Sequence, residues 1–205
     1  MPGPRVPAGD ADSERLRSHG QALVEFALFL PVFLLLTLAL IEFAFVFNGM
    51  LAISFATRDA ALLAAEAGNV AGADCKIIAA VDRAVGPPAA DSRIQSVVIY
   101  RADQNGIEMS GVSNTWARGG STDCPDVTTI AYVRQSNGYP EPSRCNVLAG
   151  CGPGQPGPDT IGVRVTYIHQ WVTPLGGFSG PGFSGQGGTG FNLTQSNSMR
   201  MEPVL

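Results

Sequence analysis

The chain has 205 residues, a formal net charge of −4 and an isoelectric point near 5.1. Its single lysine is Lys76 and it has no basic run, which argues against a nucleic-acid-binding protein because phosphate contacts need clustered Lys and Arg. Apolar residues make up 45% of the chain and are concentrated between residues 22 and 47, so the sequence predicts one domain with an apolar anchor.

That apolar segment is long enough to cross a membrane. Between Phe26 and Ile41 there is no charge and one hydroxyl, Thr37, and extension to Phe47 adds only Glu42. A helix over this stretch would measure about 33 Å, against a hydrocarbon core of about 30 Å. The alternative is a cleaved secretory signal, whose apolar region is shorter and ends at a small-residue cleavage site. We therefore predict a transmembrane helix at residues 21–48.

Basic residues flank this span unequally. Arg5, Arg15 and Arg17 precede it, whereas Arg58 alone lies within the twenty residues that follow it. The bias predicts a cytoplasmic N-terminus and an extracytoplasmic C-terminal domain.

A carboxylate lies just inside the start of the apolar segment, at Glu25. One interpretation is that its side chain reaches the lipid headgroups. The other uses Gly20, five residues earlier: cleavage after Gly20 would make Gln21 the N-terminus, with an α-amine that is largely protonated near neutral pH. Glu25 could then pair with that amine on an adjacent subunit, which would offset the desolvation of both charges.

Further features of the helix suggest packing, each with an alternative. Glu42 either contacts a partner helix in the membrane or lies at the interface. Pro31 either eases packing in an assembly or is a tolerated kink. A stripe of small residues at i+4 spacing packs either on another helix or on the protein's own domain: Ala52, Ala56, Ala60 and Ala64.

Two helices are predicted after the span. The first continues to about Ala67 and stops at Gly68-Asn69. The second covers about residues 75–85, with Asp74 as its cap. One face of this second helix is apolar: Ile77, Ile78, Val81 and Val85.

Strand patterns follow the helices. The predicted strands are Ile94–Arg101, residues 107–110 after a turn at Asp103–Gly106, Val127–Val133, Thr160–Val172 and Leu193–Met201. Two breaker-rich loops separate them, at 150–158 and at 176–190, where Gly-Phe-Ser-Gly occurs at 177–180 and 182–185.

Four cysteines lie after the span, and their even number indicates two disulfides in an oxidising compartment: Cys75, Cys124, Cys145 and Cys151. Three pairings are possible, and we favour Cys145–Cys151, which would close a short Pro/Gly loop. No Cys-x-x-Cys pair occurs, and the only histidines are His19 and His169, so we predict neither a metal site nor a cofactor.

Several strings resemble the TadE-like (TadE/TadG) pseudopilins of tight-adherence type IV pilus systems. They are GQALVEFALFLP from Gly20 to Pro31, ATRDAALLAAEAGN from Ala56 to Asn69, and the tail from Ser198 to Pro203. The resemblance implies cleavage by a prepilin peptidase between Gly20 and Gln21, with Glu25 as the recognition and assembly residue. The first mature residue would then be Gln21, where pilins often have a methylated Phe.

The resemblance also implies an organisation and a set of partners. The fold would be α+β: a long N-terminal transmembrane helix that continues into a small pilin-like domain with a short second helix and a mostly antiparallel sheet of 3–5 strands. The expected regions are a cytoplasmic leader (1–20), the transmembrane helix (21–48), an extracytoplasmic helical region (49–85) and an extracytoplasmic β-rich domain with Gly/Pro-rich loops (86–205). The expected partners are the prepilin peptidase, other pilin or pseudopilin subunits, the inner-membrane assembly platform and the lipid bilayer.

The sequence contains no nucleophile elbow, P-loop, zinc-protease helix motif or dinucleotide fingerprint. We therefore expect a minor pilin or pseudopilin rather than an enzyme. The alternative is a single-pass anchored extracytoplasmic binding protein that is never cleaved.

Overall fold

The computed structural model describes residues 10–119, 121–124, 131–155, 157–173 and 190–203, with side chains from residue 20 onward. The chain divides into two units, Met1–Phe43 and Ala44–Leu205. The helices are α1 (Asp10–Ala67) and α2 (Ala73–Ala84); the strands are β1 (Ile94–Ala102), β2 (Glu108–Arg118), β3 (Tyr132–Arg134), β4 (Thr160–Gln170) and β5 (Gly190–Arg200).

The apolar part of α1 matches the predicted anchor. It is the one helix in the described part of the chain that is long and apolar enough to span a bilayer. Its large side chains are exposed, for example Leu28 at 71% and Leu40 at 70%, a surface suited to lipid rather than water. Thr37 donates its hydroxyl to the Phe33 carbonyl at 2.8 Å, which satisfies this polar group within the helix. Within the described part of the chain this helix fits a single-pass membrane anchor, and Pro31 lies inside it.

The second unit contains a five-stranded sheet in the order β3-β2-β1-β4-β5. Every neighbouring pair is antiparallel, and the β4–β5 ladder runs without a break from Thr160–Arg200 to Gln170–Gly190. These elements confirm the predicted α+β class, with five strands at the upper end of the expected range.

The core of this unit includes the C-terminal part of α1. Ala56, Ala60 and Ala64 are fully buried, and Ala52 is half-buried against the same cluster. They belong to the same core cluster as residues of α2 and of the sheet. This packing supports the interpretation that the alanine stripe serves the protein's own domain.

The second helix begins differently from the prediction. Its N-cap is Gly72, at φ 77°, and no side chain of the N-cap residue is involved; Asp74 is instead buried within the first turn. The cap comes from far along the chain, because the Glu141 carboxylate accepts hydrogen bonds from the backbone N–H groups of Gly72 (3.1 Å) and Asp74 (2.9 Å). The prediction of Asp74 as a cap was therefore wrong.

The strand predictions differ from the structure mainly at their ends. β1 and β4 occupy the predicted places, β2 is much longer than residues 107–110, and β5 begins at Gly190. Most of the predicted strand Val127–Val133 lies outside the described residues, as do both Gly-Phe-Ser-Gly copies; β3 overlaps its end.

Two disulfides join the four cysteines. Cys75 is bonded to Cys124 and Cys145 to Cys151, which confirms the favoured short loop. The first ties α2 to the loop before β3, and the second closes a loop between β3 and β4.

Candidate functional site

Gly20 lies inside α1, where a glycine is locally unfavourable. A Cβ built on it would meet no described atom within 4 Å. Glycine in a helix interior costs about 0.5–1 kcal/mol relative to alanine. Packing among the described residues therefore gives no reason for a glycine here. Recognition of this position by another protein explains the glycine better.

One helical turn further on, Glu25 bonds to the side chain of Gln21. The Gln21 Nε2 donates to Glu25 Oε1 at 2.9 Å, an i,i+4 contact on the exposed surface of the helix. The Glu25 Oε2 has no partner among the described residues. Because the neighbouring Val24 and Phe26 are exposed apolar side chains, this carboxylate lies on a surface with little polar support. It has one acceptor oxygen left for a donor from outside the chain.

The other predicted helix-packing residues lie elsewhere. Glu42 is only 3% exposed, unlike Glu25, so it is not a free interfacial carboxylate. Pro31 is exposed on the apolar surface, while Ala56 and Ala60 belong to the core of the second unit. The structure therefore brings the side chains of Gln21 and Glu25 together in the first unit, while the alanine stripe belongs to the core of the second.

A buried ion pair in the second unit escaped the sequence analysis. Arg144 and Asp74 have fully buried side chains, with Arg144 Nη2 and Asp74 Oδ1 2.5 Å apart. Arg144 also donates to the Gly68 carbonyl at 2.6 Å. Asp74 Oδ2 accepts from Asn114 Nδ2 at 2.8 Å and Trp116 Nε1 at 3.2 Å. This network joins the end of α1, the start of α2, strand β2 and the loop that carries Cys145.

A second buried carboxylate, Asp159, organises the loop beside the short disulfide. It accepts three hydrogen bonds, from Gln155 Nε2 (2.8 Å), the Tyr139 hydroxyl (2.8 Å) and the Cys145 backbone N–H (3.0 Å). It also forms an ion pair with Arg101, whose Nε lies 3.0 Å from Asp159 Oδ1. Burial raises the pKa of the Tyr139 hydroxyl, and the Asp159 carboxylate raises it further. The phenol therefore stays protonated and remains a donor, so this network holds the start of the Cys145–Cys151 loop in place.

An open cleft of about 370 Å³ lies next to this carboxylate, lined among others by Arg101, Arg200 and Asp103. Gly157 forms part of the lining, and a Cβ there would come within 2.5 Å of the Arg200 guanidinium. Two acidic residues, Asp103 and Asp159, share the cleft with the two arginines. The formal charges balance, so the lining does not select a ligand charge.

His169 and the acidic residues around Cys124 were the other polar positions weighed in the sequence. His169 is 2% exposed, and its ring packs against Phe191 and Trp171, as expected of a packed ring. Among the residues that the structure describes, no three of His, Cys, Asp or Glu are grouped so that they could hold a metal ion. Asp123 accepts from the Arg134 backbone N–H, whereas Asp126 lies outside the described residues.

Comparison with known proteins bears on the N-terminal segment. A family model described as TadE-like protein matches residues 20–62. The match begins at the proposed cleavage residue, contains Glu25 and covers the apolar helix, so the resemblance found in the sequence is confirmed over this segment. No curated protein and no solved structure matches the chain.

Proposed function

We propose that this chain, TadE-like over residues 20–62, is a minor pilin or pseudopilin of a tight-adherence type IV pilus or secretion system. A prepilin peptidase would cut it after Gly20, and the mature subunit would pack through its N-terminal helix. The observation that carries the proposal is that the family match starts at Gly20 and retains Glu25 five residues later.

The site chemistry supports this role. Cleavage would release the residues before Gln21 and place an α-ammonium group one helical turn from Glu25. Glu25 Oε1 already accepts from Gln21, and Oε2 is open, so the carboxylate can take an ammonium group of an adjacent subunit without losing its own contact. Such a pair offsets the desolvation of both charges and fixes the axial register between subunits.

The part of the helix surface that is not buried in the protein's own domain also supports packing between subunits. Because Ala56 and Ala60 are buried in their own domain, contacts between subunits would use the apolar segment before them. Its large side chains are exposed, including Leu23, Phe29 and Phe43, and in an assembly they could exchange lipid for the helix of a neighbour. The protein's part in this process is passive: it is a peptidase substrate and then a packing subunit.

The mature N-terminus tests the proposal. The full chain is produced in membranes with its peptidase, and the N-terminal peptide is identified by mass spectrometry, with a start at Gln21 expected. Gly20→Val should insert normally, because a side chain there meets no described atom within 4 Å, but it should keep its leader because the cleavage residue has changed. Gly86→Val is the matched control, since Gly86 has equal room in the second unit, and its cleavage should be normal.

An uncleaved, single-pass membrane-anchored extracytoplasmic binding protein is the second candidate. One observation favours it, the open cleft between Arg101 and Arg200. A working protein that retains residues 1–20 would support this candidate and overturn the proposed processing.

A further inference from the structure

Gln21 would be the N-terminal residue of the mature protein. The side-chain amide of an N-terminal glutamine can react with the α-amine of the same residue. In the structure this side chain is engaged: its Nε2 donates to Glu25 Oε1 at 2.9 Å. The hydrogen bond holds the amide at Glu25, one turn further along the helix.

We propose that the mature N-terminus is a modification site, at which Gln21 cyclises to pyroglutamate, and that Glu25 restrains this reaction by holding the Gln21 amide. The inference rests on the proposed function, because the amine exists only after cleavage behind Gly20. Glu25 is here a positioning residue for the terminal glutamine.

The reaction needs no co-reactant. The unprotonated α-amine attacks the side-chain carbonyl carbon Cδ, and a bond forms between the α-nitrogen and Cδ. The bond between Cδ and Nε2 breaks, and Nε2 leaves as ammonia with the proton that the amine gives up. The product is a five-membered lactam in place of a primary amine and a primary amide.

Glu25 opposes this step in two ways. Its Oε1 accepts a hydrogen bond from the Gln21 amide, so this hydrogen bond must break before the α-amine can attack the amide carbon. Its Oε2, which has no partner among the described residues, can accept from an ammonium group, and a protonated amine is not a nucleophile. Both effects keep the terminal glutamine in its uncyclised form.

Cyclisation would have a consequence for assembly. A lactam nitrogen carries no positive charge, so a cyclised subunit could not form the pair between its terminus and the Glu25 of a neighbour. Cyclised subunits should therefore be depleted from assembled pili, and the hydrogen bond from Gln21 to Glu25 would preserve mature subunits until they are incorporated.

A timed mass measurement tests the inference. The full chain is expressed in membranes with its peptidase, synthesis is stopped, and the mature N-terminal peptide is followed over time. The cyclised form is lighter by one ammonia, and it blocks Edman degradation, so mass spectrometry is required. For Glu25→Ala we expect cyclisation to be about two- to tenfold faster than in the unaltered chain, as expected for the loss of one hydrogen bond.

Three variants separate the causes. Glu25→Gln can still accept the amide hydrogen bond, so its rate should lie closer to the unaltered chain than that of Glu25→Ala. Gln21→Ala cannot form the lactam and should give no lighter species. Glu66→Ala removes an exposed carboxylate from the same helix far from the site and should leave the rate unchanged.

The outcomes are distinguishable. A start at Gln21 with no ammonia-deficient form in Glu25→Ala overturns the inference and leaves the proposed function standing. Equal rates in Glu25→Gln and Glu25→Ala also overturn it, because the hydrogen bond would then restrain nothing. Retention of residues 1–20 overturns both.

Discussion

At the scale of single residues, the buried charge of Arg144 should have the largest effect on the stability of the domain. Its guanidinium pairs with Asp74, and both side chains are fully buried. Removal of one partner leaves the other charge buried and unpaired, so Arg144→Ala should lower the free energy of unfolding by about 3–5 kcal/mol. The measurement is denaturant unfolding of the disulfide-bonded full chain in detergent, followed by tryptophan fluorescence. Trp116, which donates to Asp74, contributes to that signal together with Trp171.

The matched control for this variant is Arg83→Ala. Arg83 is exposed on α2, and its one described hydrogen bond goes to the Ala79 carbonyl within the helix. A change within about 0.5 kcal/mol is expected. If the two arginine variants had the same free energy of unfolding, the ion pair would not stabilise the domain.

Residue spacing could reveal the N-terminal site but not this network. Gly20 and Glu25 are recognisable because their relation is local, five residues apart on one helix. Asp74 and Arg144 are separated by 70 positions, and nothing local marks them as partners. A capping residue and a buried first-turn carboxylate look the same in sequence, which is why Asp74 was misassigned.

At the scale of elements, the two disulfides close loops of very different length. The sequence separation is 49 for Cys75–Cys124 and 6 for Cys145–Cys151. A disulfide restricts the unfolded chain more when it closes a longer loop. The loop-closure entropy gives about 4 kcal/mol for the long loop and about 2.3 kcal/mol for the short one. Replacement of Cys75 and Cys124 by alanine should therefore destabilise the domain more than replacement of Cys145 and Cys151.

Thermal unfolding of the two double variants, compared with the unaltered chain in the same detergent, measures this order. The reverse order would mean that the short loop matters chiefly in the native state. The hydrogen bond from the Cys145 N–H to Asp159 would explain that order, because Asp159 is the centre of the second buried network.

The elements themselves were predictable to different degrees. β4 was clear because its apolar residues alternate, and the structure buries Ile161, Val163 and Val165 on one face. β2 was predicted too short, because its sequence EMSGVSNTWAR is largely polar and its length is set by pairing with β1 and β3. Pairing partners, unlike periodicity, cannot be found within a strand.

At the scale of the whole molecule, the sequence sufficed for the class and the anchor but not for the arrangement of the domain. A long apolar helix, followed by a second helix pattern and several strand patterns, predicts a membrane-tethered α+β domain from the sequence alone. The strand order β3-β2-β1-β4-β5 depends on contacts between distant segments, and the family match ends at residue 62, before the first strand. The sheet is therefore the part that needed a structure.

The last prediction concerns the assembled molecule. Glu25→Ala should still insert in the membrane, since it makes the apolar segment more apolar. Without the carboxylate, each mature α-ammonium group would be buried between subunits without its partner. Because an unpaired buried charge costs about 3–5 kcal/mol, incorporation into pili should fall by at least about tenfold. Sheared pili and membranes are compared by immunoblot, which separates loss of assembly from loss of protein.

Glu66→Ala is again the control, because it removes the same residue type from an exposed position on the same helix. Its incorporation should be normal, since no described contact depends on that side chain. Unchanged piliation in Glu25→Ala would mean that the carboxylate is only a headgroup contact. Loss of piliation in both variants would instead point to a general sensitivity of the helix to lost charge. We expect loss of piliation in Glu25→Ala alone, with a normal amount of protein in the membrane. That result would show that assembly depends on this one side chain.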